Sequence, residues 1–181
     1  MKQFEEKTIK RNEIFAGKII SLHVDEVELP NGQTSTREVV KHPGAVAVIP
    51  VTDEGKIVMV KQFRKPLERT LIEIPAGKIE KDEEPHVTAK RELEEETGYT
   101  TDHLQYVTSF YTSPGFADEI IHLYFSDQLI PLEEKVVGDE DEFIEIMELT
   151  IEEAEQYVKE RKIHDAKTAY AVLYVKTLME K

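Results

Sequence analysis

The chain has 181 residues, a formal net charge of −14 and no cysteine. That length suits one domain with a small appendage, and the absence of cysteine excludes disulfides and thiolate chemistry. The negative charge argues against nucleic acid or an anionic membrane as a partner, because both would repel the protein. The sequence has no apolar run of about 18 residues and no secretory signal at its start, so we expect a protein of the reducing cytoplasm.

The first forty residues predict extended structure. Residues 18–29 alternate apolar and polar side chains, as a half-buried strand does. Asn31-Gly32 is a strong hairpin signal, and residues 34–41 supply the returning strand. A unit of two or three strands is marginal in water by itself. We therefore expect residues 1–42 to form an antiparallel β appendage that packs on the main domain or on a second subunit.

His42-Pro43-Gly44 marks the predicted start of the main domain, residues 43–181. Apolar or alternating runs predict further strands, and these lie at residues 45–51, 56–63, 71–74, 104–111, 119–125 and 143–149. A capping-box pattern at Thr150–Glu153 predicts one helix, and Asp165 is the predicted cap of a final helix. The predicted class is α/β with α+β character, a mixed sheet flanked by helices.

One predicted helix, between Pro85 and Gly98, carries an unusual concentration of carboxylates. Like charges at helical spacing destabilise a helix by a few tenths of a kcal/mol per pair, and a single neighbouring arginine cannot neutralise three of them. Clustered carboxylate oxygens suit a hard cation such as Mg²⁺. A solvated acidic helix is the alternative for a generic glutamate-rich stretch. The crowded side chains are Glu92, Glu95 and Glu96, beside Arg91.

The spacing of this stretch resembles the Nudix box, the signature of the Nudix hydrolases. Gly77 is followed after five residues by Glu83 and, after seven more, by the run Arg91–Gly98, which reads RELEEETG. Every fixed position of the box is present. Tyr99 departs from it, because the box prefers an aliphatic residue there, and this affects packing more than chemistry. The resemblance implies a Nudix-type α/β/α sandwich.

The same resemblance implies roles for the residues of the box. Mg²⁺ is the implied cofactor, with Mn²⁺ as a substitute. Arg91 would orient the glutamates, and Glu83 would either bind metal or organise the loop. The implied metal ligands are Glu92 and Glu96, with Glu95 close to the metal as a further ligand or water-shell contact, and the backbone carbonyl of Ala76.

Divalent ions held by such carboxylates can clamp a diphosphate and acidify a bound water, so the expected reaction is hydrolysis of a phosphoanhydride. The acidic run 138–142 would ordinarily be a solvated turn. ADP-ribose pyrophosphatases, however, carry a glutamate-bearing loop at this place that closes over the metals. By that resemblance Glu140 is the candidate general base and Glu142 an additional metal contact.

A proline sixteen residues after Gly98, Pro114, lies in a segment that resembles the marker of the ADP-ribose pyrophosphatase subgroup. A turn joining two strands would satisfy the same residues. Arg64 is a candidate for the diphosphate or terminal ribose, and Arg37 could reach the substrate across a dimer interface. The full set of candidate substrate contacts is Arg37, Arg64, Ser113 and Glu119, the last facing ribose hydroxyls.

The resemblance implies a homodimer whose N-terminal strands exchange between subunits and help to build the adenosine pocket. It also implies hydrolysis of ADP-ribose to AMP and ribose 5-phosphate. One alternative is a Nudix hydrolase of another nucleoside diphosphate derivative, such as a GDP-sugar or an oxidised nucleotide. Another is a non-catalytic module that binds ADP-ribose to regulate a partner, which would need a degraded box or an output domain.

Overall fold

The computed structural model describes residues 2–134, 136 and 143–180. Within these residues the helices are α1 (Pro85–Thr97), α2 (Ile151–Lys159) and α3 (Ala166–Met179), with 3₁₀ turns at Lys2–Phe4 and Lys65–Leu67. The strands are β1 (Lys7–Ala16), β2 (Ser21–Glu28), β3 (Thr34–Lys41), β4 (Ala45–Pro50), β5 (Ile57–Arg64), β6 (Arg69–Glu73), β7 (Ala76–Lys78), β8 (Tyr99–Thr100), β9 (Gln105–Tyr111), β10 (Ile120–Ser126), β11 (Ile130–Pro131) and β12 (Glu145–Leu149).

The N-terminal strands form a three-stranded antiparallel sheet in the order β1-β2-β3. The predicted hairpin is confirmed: Gly32 adopts a φ of 81° in the turn between β2 and β3, where a side chain would be strained. Strand β1 was not located by its sequence pattern. These strands, up to Gly44, form one compact unit together with Phe110–Ile121. Within this unit the Val40 N–H donates to the Phe116 carbonyl at 2.8 Å.

The second compact unit comprises Ala45–Ser109 and the chain from His122 onward. The boundary between residues 42 and 43 stays a prediction. The remaining strands form a four-stranded sheet ordered β7-β4-β10-β9, a three-stranded sheet ordered β12-β5-β6 and the short pair β11-β8. Strand β4 is buried along its whole length, which explains its continuous apolar sequence. The predicted class, α+β with mixed sheets and flanking helices, is confirmed.

Helix α1 begins and ends where its sequence predicts. Pro85 occupies the first turn, and Gly98 closes the helix in the left-handed conformation with φ 71°. Its N–H donates to the Glu94 carbonyl at 3.0 Å. Ala89 and Leu93 are fully buried and pack in one cluster with side chains from β4 and β10, which are Val46, Val48 and Tyr124. This packing fixes the face of α1 that carries the carboxylates.

The C-terminal helices are both capped by side chains. Thr150 accepts from the Glu153 N–H, and Glu153 accepts from the Thr150 N–H, which confirms the predicted capping box. Asp165 accepts from the Thr168 N–H at 3.1 Å and caps α3. None of the helices in the described ranges is long and apolar enough to cross a membrane.

The burial of Leu93 predicts a large stability cost for its truncation. Leu93 is 0% exposed, so Leu93→Ala should lower the free energy of unfolding by about 2–5 kcal/mol through lost apolar contact and a cavity. Urea denaturation followed by circular dichroism measures this. The matched control is Leu173→Ala on α3, where the side chain is 63% exposed, and its change should stay within about 0.5 kcal/mol. Equal losses in the two variants would contradict the assigned core.

Candidate active site

The carboxylate of Glu92 lies directly against the backbone of β7. A Cβ atom built on Gly77 would overlap the carboxyl carbon and both oxygens of Glu92. The absence of a side chain at Gly77 therefore leaves room for the Glu92 carboxylate in this position, and no positive φ is involved. Glu92 is 8% exposed, so the packing of α1 against β4 and β7 brings an ionisable side chain into a confined place.

Glu96 lies one helical turn further along the same face and is 4% exposed. Its Oε2 accepts a hydrogen bond from the Ala76 N–H at 2.8 Å. The structure therefore brings together Ala76, which was predicted as a backbone ligand, and Glu96, which was predicted as a carboxylate ligand. The Glu92 carboxylate lies against Gly77, the next residue of β7.

Arg91 joins three carboxylates. Its Nη1 donates to Glu92 at 2.8 Å and to Glu95 at 3.0 Å. Its Nε and Nη2 donate to the two oxygens of Glu83 at 3.2 and 3.1 Å. Hydrogen bonding to Glu83, followed by the charges of Glu92 and Glu83 and the bond to Glu95, raises the pKa of Arg91. Because the guanidinium stays charged, it offsets part of the repulsion among these glutamates.

Glu83 is held by a second residue of α1 as well as by Arg91. The Thr88 hydroxyl donates to Glu83 at 2.9 Å, and the hydrogen bond from Arg91 is the main cause that lowers the pKa of Glu83. Glu83 therefore contacts Arg91 directly and joins the other glutamates through it. Of the two roles that the sequence leaves open for it, this contact favours organisation of the loop.

The donor set fits a hard divalent cation, because buried carboxylates and a nearby backbone carbonyl are the ligands that Mg²⁺ accepts. Among the residues that the structure describes, no group of three or more His, Asp or Glu side chains is arranged so that it could hold a metal ion by itself. Arg91 binds Glu92 and Glu95, whereas Glu96 faces the Ala76 N–H. The carboxylates of Glu92 and Glu96 thus both lie at β7. The carboxylate of Glu95 is bound to Arg91, which also binds Glu92.

Arg64, a predicted substrate contact, forms a bidentate ion pair with Glu73. Its Nε and Nη2 donate to the two carboxylate oxygens at 2.7 and 2.8 Å. Lys167 also donates to Glu73. Burial alone would raise the pKa of Glu73, but the hydrogen bonds and charges of Arg64 and Lys167 outweigh it and lower this pKa to about 2.

The other predicted substrate contacts lie in the N-terminal compact unit. Arg37 donates to Glu6 through Nε at 2.7 Å and through Nη2 at 2.5 Å. Glu119 accepts from the Thr112 hydroxyl at 2.5 Å. The Ser113 carbonyl accepts from the N–H groups of Phe116 and Ala117, so the segment around Pro114 forms a turn. Arg37 and Glu119 therefore each have a partner within their own unit.

The candidate general base Glu140 and the additional metal contact Glu142 lie outside the described residues. Their roles stay predictions. Sequence reasoning also missed Glu73, Lys167 and Thr168, which contact the chain that leads into β7. A signal was present, because Lys167 interrupts the apolar stripe of α3 and Glu73 stands between two buried isoleucines, Ile72 and Ile74. Ionisable residues at such positions need partners.

The low pKa of Glu73 predicts how stability depends on pH. A carboxylate whose pKa is lowered on folding, here from 4.5 to about 2, stabilises the fold above pH 4.5 and loses this contribution as the pH falls towards 2. The contribution is about 3 kcal/mol. Urea unfolding across this interval should show a steeper loss of stability for the wild type than for Glu73→Gln. Glu133→Gln, at an exposed site, should retain the wild-type slope. Equal slopes for all three would contradict the charged pair.

Comparison with known proteins identifies the family. The NUDIX domain model matches residues 41–171, and the model of the nucleoside diphosphate sugar hydrolase N-terminal domain matches residues 6–40. An "ADP-ribose pyrophosphatase" of Bacillus subtilis is 65% identical over 97% of this chain and 95% of its own. A "Methanol dehydrogenase activator" of Bacillus methanolicus is 62% identical over 96% of this chain and 94% of its own.

A solved structure described as an ADP compounds hydrolase superposes with a TM-score of 0.84, covering 97% of this chain and 95% of the other. At 17% identity this likeness supports the fold alone. The family models together account for the N-terminal strands and for the unit that contains the carboxylates of α1. The chain belongs to the Nudix family.

Proposed function

We propose that the protein hydrolyses the diphosphate link of ADP-ribose to AMP and ribose 5-phosphate, with Mg²⁺ as cofactor and Mn²⁺ as a substitute. The observation that carries the proposal is the close packing of Glu92 on Gly77, with Glu96 bound to the Ala76 N–H. The 65% identical relative named ADP-ribose pyrophosphatase supports the choice of substrate.

Nudix hydrolases use a divalent metal. In this chain Glu92, Glu96 and the Ala76 carbonyl would hold it, with Glu95 beside them as a further ligand or through a bound water. When bound, the metal neutralises charge on the diphosphate and lowers the pKa of a bound water. Arg91 keeps the carboxylates of Glu92 and Glu95 in place by charge-assisted hydrogen bonds.

A general base accepts the proton of the attacking water, and Glu140 is the residue we propose for this. Glu142 is the proposed additional metal contact. Both assignments rest on the position of the acidic run 138–142 after the box and before β12, since these residues lie outside the described part of the chain.

For substrate binding we propose Arg37, Arg64, Ser113 and Glu119. Arg64 uses Nε and Nη2 to bind Glu73, so Nη1 is the atom that we assign to the diphosphate or the terminal ribose. Glu119 accepts from Thr112 through one carboxylate oxygen, Oε2. Its other oxygen lies 3.7 Å from the His42 ring, and we assign it to ribose hydroxyls.

We also propose a homodimer in which residues 1–42 exchange between subunits and contribute to the adenosine pocket, while residues 43–181 form the Nudix domain. Strand β1 is exposed along its whole length. Its apolar side chains Ile9, Ile14 and Phe15 are more than half exposed, and a second subunit would cover them. A chain without cysteine suits the cytoplasm, which is the location that we propose.

A second candidate function is activation of a dehydrogenase, which the 62% identical relative named methanol dehydrogenase activator favours. Such an activator would retain catalysis, because every fixed position of the box is present here. It thereby differs from a regulator that binds ADP-ribose without catalysis. Adding the wild type to an alcohol dehydrogenase assay tests it. Stimulation that is lost in Glu96→Gln would tie the effect to the hydrolase site, and no stimulation would remove this candidate.

Hydrolysis of ADP-ribose should depend on the metal and on the two buried glutamates. With Mg²⁺, ADP-ribose should show the highest kcat/KM in a panel that includes GDP-sugars and oxidised nucleotides. Glu92→Gln and Glu96→Gln should lower kcat by about 10²-fold or more, because each removes ligand charge. Turnover in ¹⁸O water, followed by mass spectrometry of AMP and ribose 5-phosphate, identifies the phosphorus attacked.

The matched control is Glu94→Gln on the same helix, where the side chain accepts from the Thr100 hydroxyl at 2.5 Å. This variant should retain wild-type kcat/KM. Full activity of the wild type in EDTA, or of Glu96→Gln with Mg²⁺, would overturn the proposal. A higher kcat/KM for a GDP-sugar would replace the substrate and leave the metal site unchanged.

Replacing the proposed base should affect turnover rather than binding. Glu140→Gln should lower kcat by about 10²–10⁴-fold, the usual contribution of general base catalysis, while KM for ADP-ribose changes little. Steady-state kinetics with Mg²⁺ measures both values. Glu133→Gln, another carboxylate ahead of β12, is the control and should match the wild type. An unchanged kcat in Glu140→Gln would remove this residue from the role.

A further inference from the structure

The segment between β6 and β7 leads the chain into the candidate site, and contacts fix it at successive positions. Glu73 is held by its side chain, and each of the next three residues is held through a backbone atom. The contacts are the Glu73 carboxylate with Arg64 and Lys167, the Ile74 N–H with the Thr168 hydroxyl at 3.1 Å, the Pro75 carbonyl with the Val48 N–H at 2.9 Å, and the Ala76 N–H with Glu96 at 2.8 Å.

Two of these contacts come from the first turn of α3. Lys167 donates to Glu73 and also to Asp165, at 3.0 Å in the second case. Asp165 in turn accepts from the Thr168 N–H and caps the helix. The cap, the lysine and the threonine therefore form one hydrogen-bonded group, and this group meets the chain at Glu73 and Ile74.

The connection between α2 and α3 holds the preceding strand. The Ile72 N–H donates to the Lys162 carbonyl at 3.1 Å, and the Arg69 side chain donates to the Arg161 carbonyl at 2.7 Å. Strand β6 thus lies between β5 on one edge and the C-terminal segment on the other. A shift of α3 would move β6 and the segment after it.

We propose that Lys167 is a positioning residue for the metal-binding side of the candidate site. It acts through Glu73, which fixes where Ala76 presents its backbone to Glu96. Ala76 lies three residue steps after Glu73, about 10 Å of extended chain, and every residue of that stretch is hydrogen-bonded. This short extended path has little slack, so a displacement at Glu73 would shift Ala76. This inference rests on the proposed metal-dependent hydrolysis and deepens it.

Burial explains why the lysine has this effect. Lys167 is 8% exposed and Glu73 is 2% exposed. Removing one member of a buried ion pair leaves the other charge insufficiently compensated in a poorly solvated place. Without Lys167, Glu73 would be drawn towards Arg64 or towards water, and either movement pulls on Ile74. Replacing a buried ion pair as a whole often costs little stability. A measurement of metal binding therefore distinguishes a positioning role of Lys167 from a purely structural one.

The test compares Lys167→Met with Lys167→Arg and with Lys176→Met. Lys176 lies on the same helix and forms an ion pair with Glu155 at 2.6 Å, so its replacement removes a charge and an ion pair away from the segment. Mn²⁺ binding, titrated by electron paramagnetic resonance without substrate, is the first readout. The Mg²⁺ concentration for half-maximal turnover of ADP-ribose, with kcat and KM at saturating Mg²⁺, is the second.

Lys167→Met should weaken Mn²⁺ binding about tenfold, the lower end of the effect of residues that hold metal ligands in place. The Mg²⁺ requirement should rise in the same proportion, while KM for ADP-ribose at saturating Mg²⁺ stays near the wild-type value. Lys167→Arg keeps the charge and should recover most of the Mn²⁺ binding. Lys176→Met should bind Mn²⁺ as the wild type does.

Thr168→Val tests the contact between the first turn of α3 and the Ile74 N–H. It decides the proposal if Lys167→Met does not fold. It keeps the shape of the side chain but removes the acceptor of the Ile74 N–H, so it should also weaken Mn²⁺ binding. Folded Lys167→Met or Thr168→Val with wild-type Mn²⁺ binding would overturn the proposal. So would an equal loss in Lys176→Met. A wild type that binds Mn²⁺ without hydrolysing ADP-ribose would refute the proposed substrate, and the Mn²⁺ titration would still decide the role of Lys167.

Discussion

The candidate site depends on the contact between the Glu92 carboxylate and the backbone at Gly77. This contact exists because Ala89 and Leu93 pack α1 onto β4 and bring the neighbouring stripe of the same buried face, which carries Glu92, against β7. A side chain at position 77 would displace the Glu92 carboxylate from this place. The glycine and the glutamate of the box, Gly77 and Glu92, therefore meet where α1 packs closely on β7. The proposed arrangement for metal binding depends on this contact.

Electrostatics determines what this site can hold. Arg91 is one positive charge bound to Glu83, Glu92 and Glu95, and Glu96 adds a further carboxylate at β7. The neighbourhood stays negative, as does the whole chain at −14. A diphosphate would be repelled by such a field, whereas a divalent cation would be attracted and would reverse the sign locally. The acidity of the chain and its proposed substrate are thus compatible only through the cation.

Local sequence patterns were sufficient for the elements with strong local signals. Pro85, Gly98 and the capping box at Thr150 lie where the structure begins or ends helices. Strand β1 was missed because its register shifts near Thr8 and Phe15 break the alternation, and because no residue of it is buried.

The long-range contacts could not be predicted from local patterns. Arg64 was recognised as a functional candidate, but its partner Glu73 was not. Lys167, whose side chain also binds the Glu73 carboxylate, was missed as well. Sequence periodicity indicates which residues face inward, yet it does not say which buried charges meet. The proposed metal ligands were identified through a motif, whereas the residues that hold their strand in place belong to no motif in this sequence.

The ion pair between Glu73 and Lys167 spans 94 positions of the chain. During synthesis the acidic helix and its glycine leave the ribosome long before the lysine does, since translation adds only about 5–20 residues per second. A nascent chain can therefore form the box helix while the strand beside it still lacks its last support. Completion of the candidate site is thus tied to emergence of the final helix, so that a prematurely terminated product would carry the whole box without the contacts of Lys167 and Thr168.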